Sequence, residues 1–88
     1  MAGEAAVQFS VSVWVRDGEI GVSPISTVEE ALAFIKEWPV DKRGPLYFVA
    51  SNSLESAVSK SIAADEARAR FMDFCDEAGV LAEGRIAL

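Results

Sequence analysis

The residues best suited to binding a ligand stand together in the middle of the chain, between two prolines. Lys42 and Arg43 are adjacent cations, and Gly44 follows them. Proline is favoured at the first position of a helix, so we predict that a helix begins at Pro45. The first N–H groups of a helix lack intrahelical partners and carry partial positive charge. The segment therefore predicts a candidate site for a phosphate, a nucleotide or a partner carboxylate. Its members are Lys42, Arg43, Gly44 and Tyr47.

The same segment can instead form a corner between two helices. Trp38 would then pack against the core, while Pro39 and the later proline set the chain direction. The Lys-Arg pair would face water beside Glu37 and Asp41. The glycine-rich run that marks a phosphate-binding loop is missing. The corner is therefore the favoured interpretation, and the anion site is the alternative.

Catalytic chemistry finds little support in the sequence. The chain has no histidine, the commonest general base and metal ligand. Ser56 and Lys60 are four residues apart, whereas serine–lysine enzymes use a Ser-x-x-Lys spacing. The only cysteine, Cys75, falls on an apolar helix stripe, where a buried thiol has a raised pKa and is inert. Three nearby carboxylates favour a solvated helix face over a metal site, namely Asp73, Asp76 and Glu77. We therefore expect no enzyme activity, no catalytic or metal-binding residue and no cofactor.

The charge balance argues against two classes of partner. The chain has 88 residues, of which 14 are acidic and 8 basic, for a net charge of −6. Duplex nucleic acids and anionic membranes both attract basic surfaces, so we expect neither as a partner. No apolar run approaches the roughly 20 residues of a membrane span, and residues 1–13 lack the pattern of a signal peptide. A single cysteine allows no internal disulfide, and we expect a cytoplasmic location.

The elements that position these residues begin with a β-hairpin. Residues 7–15 alternate between apolar and other side chains, with the period of a half-buried strand. Asp17-Gly18 is the usual signal for a two-residue turn, and residues 19–23 form the second strand, ended by a proline. The side chains predicted to face the core are Val7, Phe9, Val11, Val13 and Val15.

The turn also predicts the pairing register of the hairpin. It places Val15 opposite Ile20, so that the apolar faces of the two strands coincide. It leaves Trp14 on the outer face, opposite Gly21. A large exposed aromatic side chain is typical of interaction surfaces, so Trp14 is a candidate contact residue.

The first helix has clear signals at both ends. Ser26 with Glu29, or Thr27 with Glu30, has the spacing of a capping box. The helix is predicted to stop at Trp38, because the following proline disfavours helical geometry there. Its core stripe is Val28, Ala31, Leu32, Ile35 and Trp38, broadened by Phe34.

Two further helices follow the corner. The second begins at Pro45 and ends without a clear signal between residues 59 and 62, and its core stripe is Leu46, Val49, Ala50, Leu54, Ala57 and Val58. The third covers about residues 64–78, with Gly79 as a left-handed cap. Its stripe is Ala64, Ala67, Phe71, Phe74, Cys75 and Ala78.

The predicted fold is α+β, an N-terminal β-hairpin packed on three helices in the order ββααα. Residues 1–6 form a flexible leader, residues 7–82 a single domain and residues 83–88 a C-terminal tail. The tail is apolar, and its last four residues, RIAL, can add a short third strand.

The motifs and their order resemble domain-of-unknown-function family 982, small bacterial proteins chiefly from rhizobia and their relatives. That family has a hydrophobic hairpin, a helix that ends in Trp-Pro, a basic Arg-Gly-Pro segment and a later helix. The matching residues here are Trp38-Pro39, Arg43-Gly44-Pro45, Ala67-Arg68, Phe71 and Ala78-Gly79. The family pattern often has a glycine near Lys60 and a cysteine where Leu54 stands. The resemblance covers about residues 7–82 and implies a bacterial origin, but no established activity or site residue.

The sequence therefore predicts a small cytoplasmic interaction or regulatory module without visible catalytic chemistry. The alternative is a small-anion or nucleotide-binding domain that uses the helix start at Pro45 with Lys42 and Arg43. The expected partner is another protein, or a second copy of the chain in a homodimer contacted through Trp14. Covering of the hairpin by the C-terminal tail and a solvated outer face are the other possibilities.

Overall fold

The computed structural model describes residues 7–17 and 21–82. The elements are β1 (Gln8–Asp17), β2 (Gly21–Thr27), α1 (Val28–Lys36), a 3₁₀ turn (Val40–Lys42), α2 (Pro45–Val58) and α3 (Ala64–Ala78). The two strands form one antiparallel sheet. The α+β fold and the order ββααα are confirmed.

The predicted register of the hairpin is wrong. Val15 lies opposite Ser23 instead of Ile20, a shift of three residues. A shift by an odd number of residues turns the other face of a strand toward the core. The observed pairing buries Ile25, which is 8% exposed, and leaves Val22 45% exposed. The burial of Ile25 therefore explains the register, and β2 continues past the proline that was expected to end it. The two-residue turn predicted at Asp17-Gly18 is wrong at its first residue, because Asp17 belongs to β1 and lies opposite Gly21. Gly18 lies outside the described residues.

β1 is irregular near its start, and this corrects the prediction for Val11. The register shifts between Gln8 and Val13, and Val11 is 57% exposed instead of facing the core. The irregular stretch bonds to α3 instead. The Val11 carbonyl accepts a hydrogen bond from Arg68 Nε at 2.7 Å, and the Ser10 N–H donates to Asp65 Oδ1 at 2.9 Å.

The chain beyond α3 covers the second edge of β1. The Arg16 N–H donates to the Val80 carbonyl at 2.8 Å, and the Ala82 N–H donates to the Trp14 carbonyl at 2.9 Å. An antiparallel bridge joins Val15 to Leu81. Residues 80–82 therefore occupy the position of a third strand, whereas the RIAL segment that was expected there lies outside the described residues.

α1 begins at the predicted Thr27–Glu30 pair, although the carboxylate bonds to the N–H one residue before the N-cap. Thr27 is the N-cap, and its Oγ1 accepts from the Glu30 N–H at 3.0 Å. Glu30 Oε1 accepts in return from the Ser26 N–H at 2.7 Å. The helix ends at Lys36, two residues before the predicted stop, because the next turn tightens into a bond from the Trp38 N–H to the Ile35 carbonyl.

The core lies between the inner face of the hairpin and the three helices. Phe71 is fully buried at its centre, with ring centroids 6.5 Å from Phe9 and 5.9 Å from Phe34. The predicted stripe of α2 is wrong at Val49 and Val58, which are 43% and 41% exposed, and it missed the buried Tyr47. The residues that α2 buries are Tyr47, Ala50, Leu54 and Ala57.

Two residues in left-handed conformations end the last two helices. Gly79 has φ +79° and caps α3, which confirms the predicted cap. Lys60 follows α2 with φ +67°, a region that a side chain with a Cβ adopts at a cost. A glycine suits this turn better than a lysine.

Candidate functional site

A pocket of about 460 Å³ lies where the three helices meet. Its walls come from the corner after α1, the first turn of α2 and the last turns of α3. The aromatic members are Trp38, Tyr47 and Phe74, and we call the site the aromatic pocket. Pro45, Leu46 and Ala78 complete its apolar lining.

The aromatic rings hold one another in fixed orientations. Phe74 meets Trp38 edge to face, with a centroid distance of 5.1 Å and an angle of 75°. Phe74 also meets Tyr47 edge to face, at 5.8 Å and 77°. Edge-to-face pairs add about 0.5–1.5 kcal/mol beyond area burial. The pocket wall is therefore pre-organised by contacts that also belong to the core.

Arg43 holds the corner together. Its Nε donates to the Trp38 carbonyl at 3.1 Å, and its Nη2 donates to the Lys36 carbonyl at 3.3 Å. The last carbonyls of a helix lack intrahelical partners, so this guanidinium caps the end of α1. It also lies 4.6 Å from the ring centroid of Tyr47, within the range of a cation–π contact. A basic residue a few positions after a helix end was the sequence signal for this role.

The start of α2 presents few donors to an anion. Gly44 is the N-cap, and Pro45 has no N–H. The N–H groups of Tyr47 and Phe48 both donate to the Gly44 carbonyl, at 3.1 and 3.4 Å. Of this turn, Leu46 is the one residue whose N–H donates to no protein atom within residues 7–17 and 21–82.

The four residues of the predicted anion site are thus neighbours, but they have different surroundings. Lys42 and Gly44 line the aromatic pocket, and Tyr47 is 6% exposed in its wall. Arg43 is engaged with the end of α1. Anion binding at this helix start stays a prediction.

Two charged side chains stand at the rim of the aromatic pocket. Lys42 comes from the 3₁₀ turn, and Glu77 comes from the last turn of α3. Both are exposed, and neither forms an ion pair within the described ranges. On the same helix, Arg70 and Asp73 do pair, at 3.2 Å.

Exposed apolar surface continues from the pocket along α2. Phe48 is 53% exposed, and its ring meets that of Tyr47 edge to face at 5.1 Å. Val49, the next residue, is 43% exposed. Sequence reasoning missed this surface because it assigned Val49 to the core.

The single thiol belongs to the core and not to the site. Cys75 is buried, as predicted, and burial raises its pKa to about 12. A thiol with that pKa is protonated at neutral pH and is a poor nucleophile. In the described part of the chain, no group of acidic or cysteine side chains is arranged to hold a metal ion.

A second exposed patch lies on the outer face of the hairpin. Trp14 is 39% exposed, which confirms its predicted place on that face, but it lies opposite Pro24 instead of Gly21. Val22 belongs to the same face and is 45% exposed. Association of two chains through this patch stays a prediction.

Comparison with known proteins identifies a family. A family model described as "Protein of unknown function (DUF982)" matches residues 11–82, a range that includes every residue of the aromatic pocket. No curated protein and no solved structure matches the chain. None of the helices in the described residues has the length and apolar character needed to cross a membrane.

Proposed function

The chain belongs to the DUF982 family, and on that premise we propose that it is a small interaction module. The module seats an apolar side chain of a partner protein in the aromatic pocket. The observation that carries this proposal is the pocket itself, about 460 Å³ in volume and walled by Trp38, Tyr47 and Phe74. Ligand sites are typically concave, mostly apolar and about 300–1,000 Å³ in volume.

The surroundings of the pocket support a protein partner. Phe48 and Val49 extend the apolar surface beyond the pocket, so a partner segment can lie along α2 while one side chain enters. Aromatic side chains are enriched in interfaces, and anchors in well-packed pockets carry much of the binding energy. The ring contacts around Phe74 keep the pocket open without a partner, which lowers the ordering cost of binding.

The chemistry of the pocket supports binding without catalysis. Its ionisable side chains are Lys42, Tyr47 and Glu77, and the chain has no histidine to act as a general base. Cys75 is buried in the core with a raised pKa. We place this role in the cytoplasm, because a single buried thiol without a disulfide suits a reducing compartment.

Nuclear magnetic resonance tests the proposal directly. N-acetyl-phenylalaninamide and N-acetyl-leucinamide are titrated into the ¹⁵N-labelled protein, with N-acetyl-glycinamide as the control ligand. We expect saturable shifts of the Trp38 indole N–H with the two apolar ligands. The resonance of the Trp14 indole N–H, on the outer face of the sheet, should not shift.

A matched pair of variants locates the binding. Ala78→Met places a larger side chain at the pocket wall and should weaken binding at least several-fold. Ala69→Met makes the same change at an exposed position of α3 and should leave binding unchanged. Absence of saturable shifts at Trp38, or equal loss of binding in both variants, would overturn the proposal.

Self-association is a second candidate function, supported by the exposed Trp14 patch. Residues 80–82 already cover the free edge of β1. Pro24 removes one donor from β2, so stacking of two outer faces over Trp14 suits a dimer better than edge pairing. Sedimentation of the wild type and of Trp14→Ser tests this. A wild type that is monomeric at high micromolar concentration eliminates the dimer, and a dimer unchanged in Trp14→Ser places its interface elsewhere.

A further inference from the structure

Opposite charges at the rim of the aromatic pocket remain available to a partner. Lys42 and Glu77 line the same pocket, and within the described residues no ion pair joins them or neutralises either one. The ion pair of Arg70 with Asp73, at 3.2 Å, lies outside the pocket lining. A segment that enters the pocket therefore meets one ammonium and one carboxylate that have no ion-pair partner within the described residues.

Arg43, which neighbours Lys42, does not change the balance of charges at the pocket rim. Arg43 directs its guanidinium to the carbonyls of Lys36 and Trp38 and to the ring of Tyr47. The rim of the pocket therefore offers one charge of each sign. A strongly anionic or strongly cationic segment would satisfy one rim charge and be repelled by the other.

We propose that the partner segment carries its apolar anchor between one acidic and one basic side chain, the acidic one meeting Lys42 and the basic one meeting Glu77. This inference rests on the proposed function, because it assumes that an anchor enters the pocket. Charged groups around an interface select the partner and its direction more than they add affinity. The two rim charges therefore determine which way the segment runs across the pocket.

Five capped tripeptides test the inference, all with a central phenylalanine anchor. Two are dipolar (Glu-Phe-Lys and Lys-Phe-Glu), two carry like charges (Glu-Phe-Glu and Lys-Phe-Lys) and one is neutral (Gly-Phe-Gly). Dissociation constants come from the shift of the Trp38 indole N–H. We expect one dipolar peptide to bind about two- to fivefold more tightly than the neutral peptide, the range of exposed ion pairs. The reversed dipolar peptide and the two like-charged peptides should bind no more tightly than the neutral peptide.

Charge-swap variants identify the residues responsible. The double variant Lys42→Glu/Glu77→Lys keeps the net charge, and the preferred dipolar peptide should become the reversed one. Lys42→Glu alone should favour Lys-Phe-Lys, and Glu77→Lys alone should favour Glu-Phe-Glu. Glu55→Lys makes the same charge change at an exposed position of α2 outside the pocket lining and should leave the ranking as in the wild type.

The outcomes separate this inference from the proposed function. If no peptide shifts Trp38 saturably, the proposed function fails and this inference fails with it. If all five peptides bind equally, or if Glu-Phe-Glu binds the wild type best, binding of an apolar anchor in the pocket is supported. The proposal of a dipolar partner segment is then overturned. An unchanged preference in the double variant also overturns it.

Discussion

Truncation of Trp38 separates its core role from its role as a pocket wall. The ring is partly buried, 5.1 Å from Phe74 and 6.1 Å from Phe34 between centroids. Replacing a fully buried Phe or Trp by Ala costs about 3–5 kcal/mol. Trp38 borders an open pocket of about 460 Å³, so part of its surface is already without protein contact. We therefore expect Trp38→Ala to lower the free energy of unfolding by about 2–4 kcal/mol.

Urea unfolding followed by far-ultraviolet circular dichroism measures this change without relying on tryptophan fluorescence. The chain offers a matched control, because its only other tryptophan, Trp14, is 39% exposed on the outer face of the hairpin. Trp14→Ala should cost less, no more than about 1 kcal/mol, the centre of the range for point substitutions. The dependence of the unfolding free energy on urea should stay the same in both variants if the transition remains two-state.

A double-mutant cycle isolates the contact that defines the pocket. Trp38→Leu and Phe74→Leu each remove one ring and keep an apolar side chain. Their coupling free energy should be about 0.5–1.5 kcal/mol, the value of an edge-to-face pair. A Trp38→Ala variant as stable as Trp14→Ala would refute this reasoning, since the ring would then contribute nothing to the core.

Three further predictions concern the chain outside the pocket wall, and one concerns the corner beside it. Cys75 should react slowly with a thiol reagent in the native protein and quickly in denaturant; rapid native labelling would contradict its burial. Lys60→Gly should raise the free energy of unfolding by about 0.5–1 kcal/mol, because glycine adopts φ +67° without a Cβ clash; a loss of stability would contradict this. Arg43→Met should lower the free energy of unfolding by roughly 1–2 kcal/mol, because the carbonyls at the end of α1 lose their donor. A variant as stable in urea as the wild type would show that water replaces the guanidinium. The hydrogen bond from the Ser10 N–H lowers the pKa of Asp65. The ionised carboxylate therefore stabilises the fold at pH values above its unfolded-state pKa. This stabilisation declines as the pH falls through the lower folded-state pKa. Asp65→Asn should therefore flatten the acid limb of the stability–pH curve, and an unchanged acid limb counts against the bond.

The helices and their order can be predicted from local signals in the chain. The signals for α1, α2 and α3 are local: the Thr27–Glu30 capping box, the proline at the start of α2 and the left-handed Gly79. Each acts within one or two turns of the chain, so no knowledge of distant contacts is needed. The outward position of Trp14 and the burial of Cys75 followed from periodicity in the same way.

The register of the hairpin depends on contacts between the strands and the helices. A two-residue turn and apolar alternation predicted one pairing, but the burial of Ile25 against the helices requires β2 to turn its other face inward. A register shift by an odd number of residues turns every side chain of the strand to the opposite face of the sheet. An error of a few residues in the pairing therefore exchanges the buried and the exposed side chains. The exposed Val11 has the same origin, because β1 departs from regular pairing where its backbone bonds to α3.

The candidate site depends on tertiary structure even more strongly. Trp38, Tyr47 and Phe74 come from the regions of three different helices, and no spacing along the chain brings them together. The sequence identified the corner around Lys42 and Arg43 but assigned both cations to a ligand or to water. Packing placed the Arg43 guanidinium on the end of α1 and brought Lys42 and Glu77 to the lining of the same pocket. Which charges are satisfied within the fold, and which remain for a partner, is set by distances between helices that only the folded chain defines.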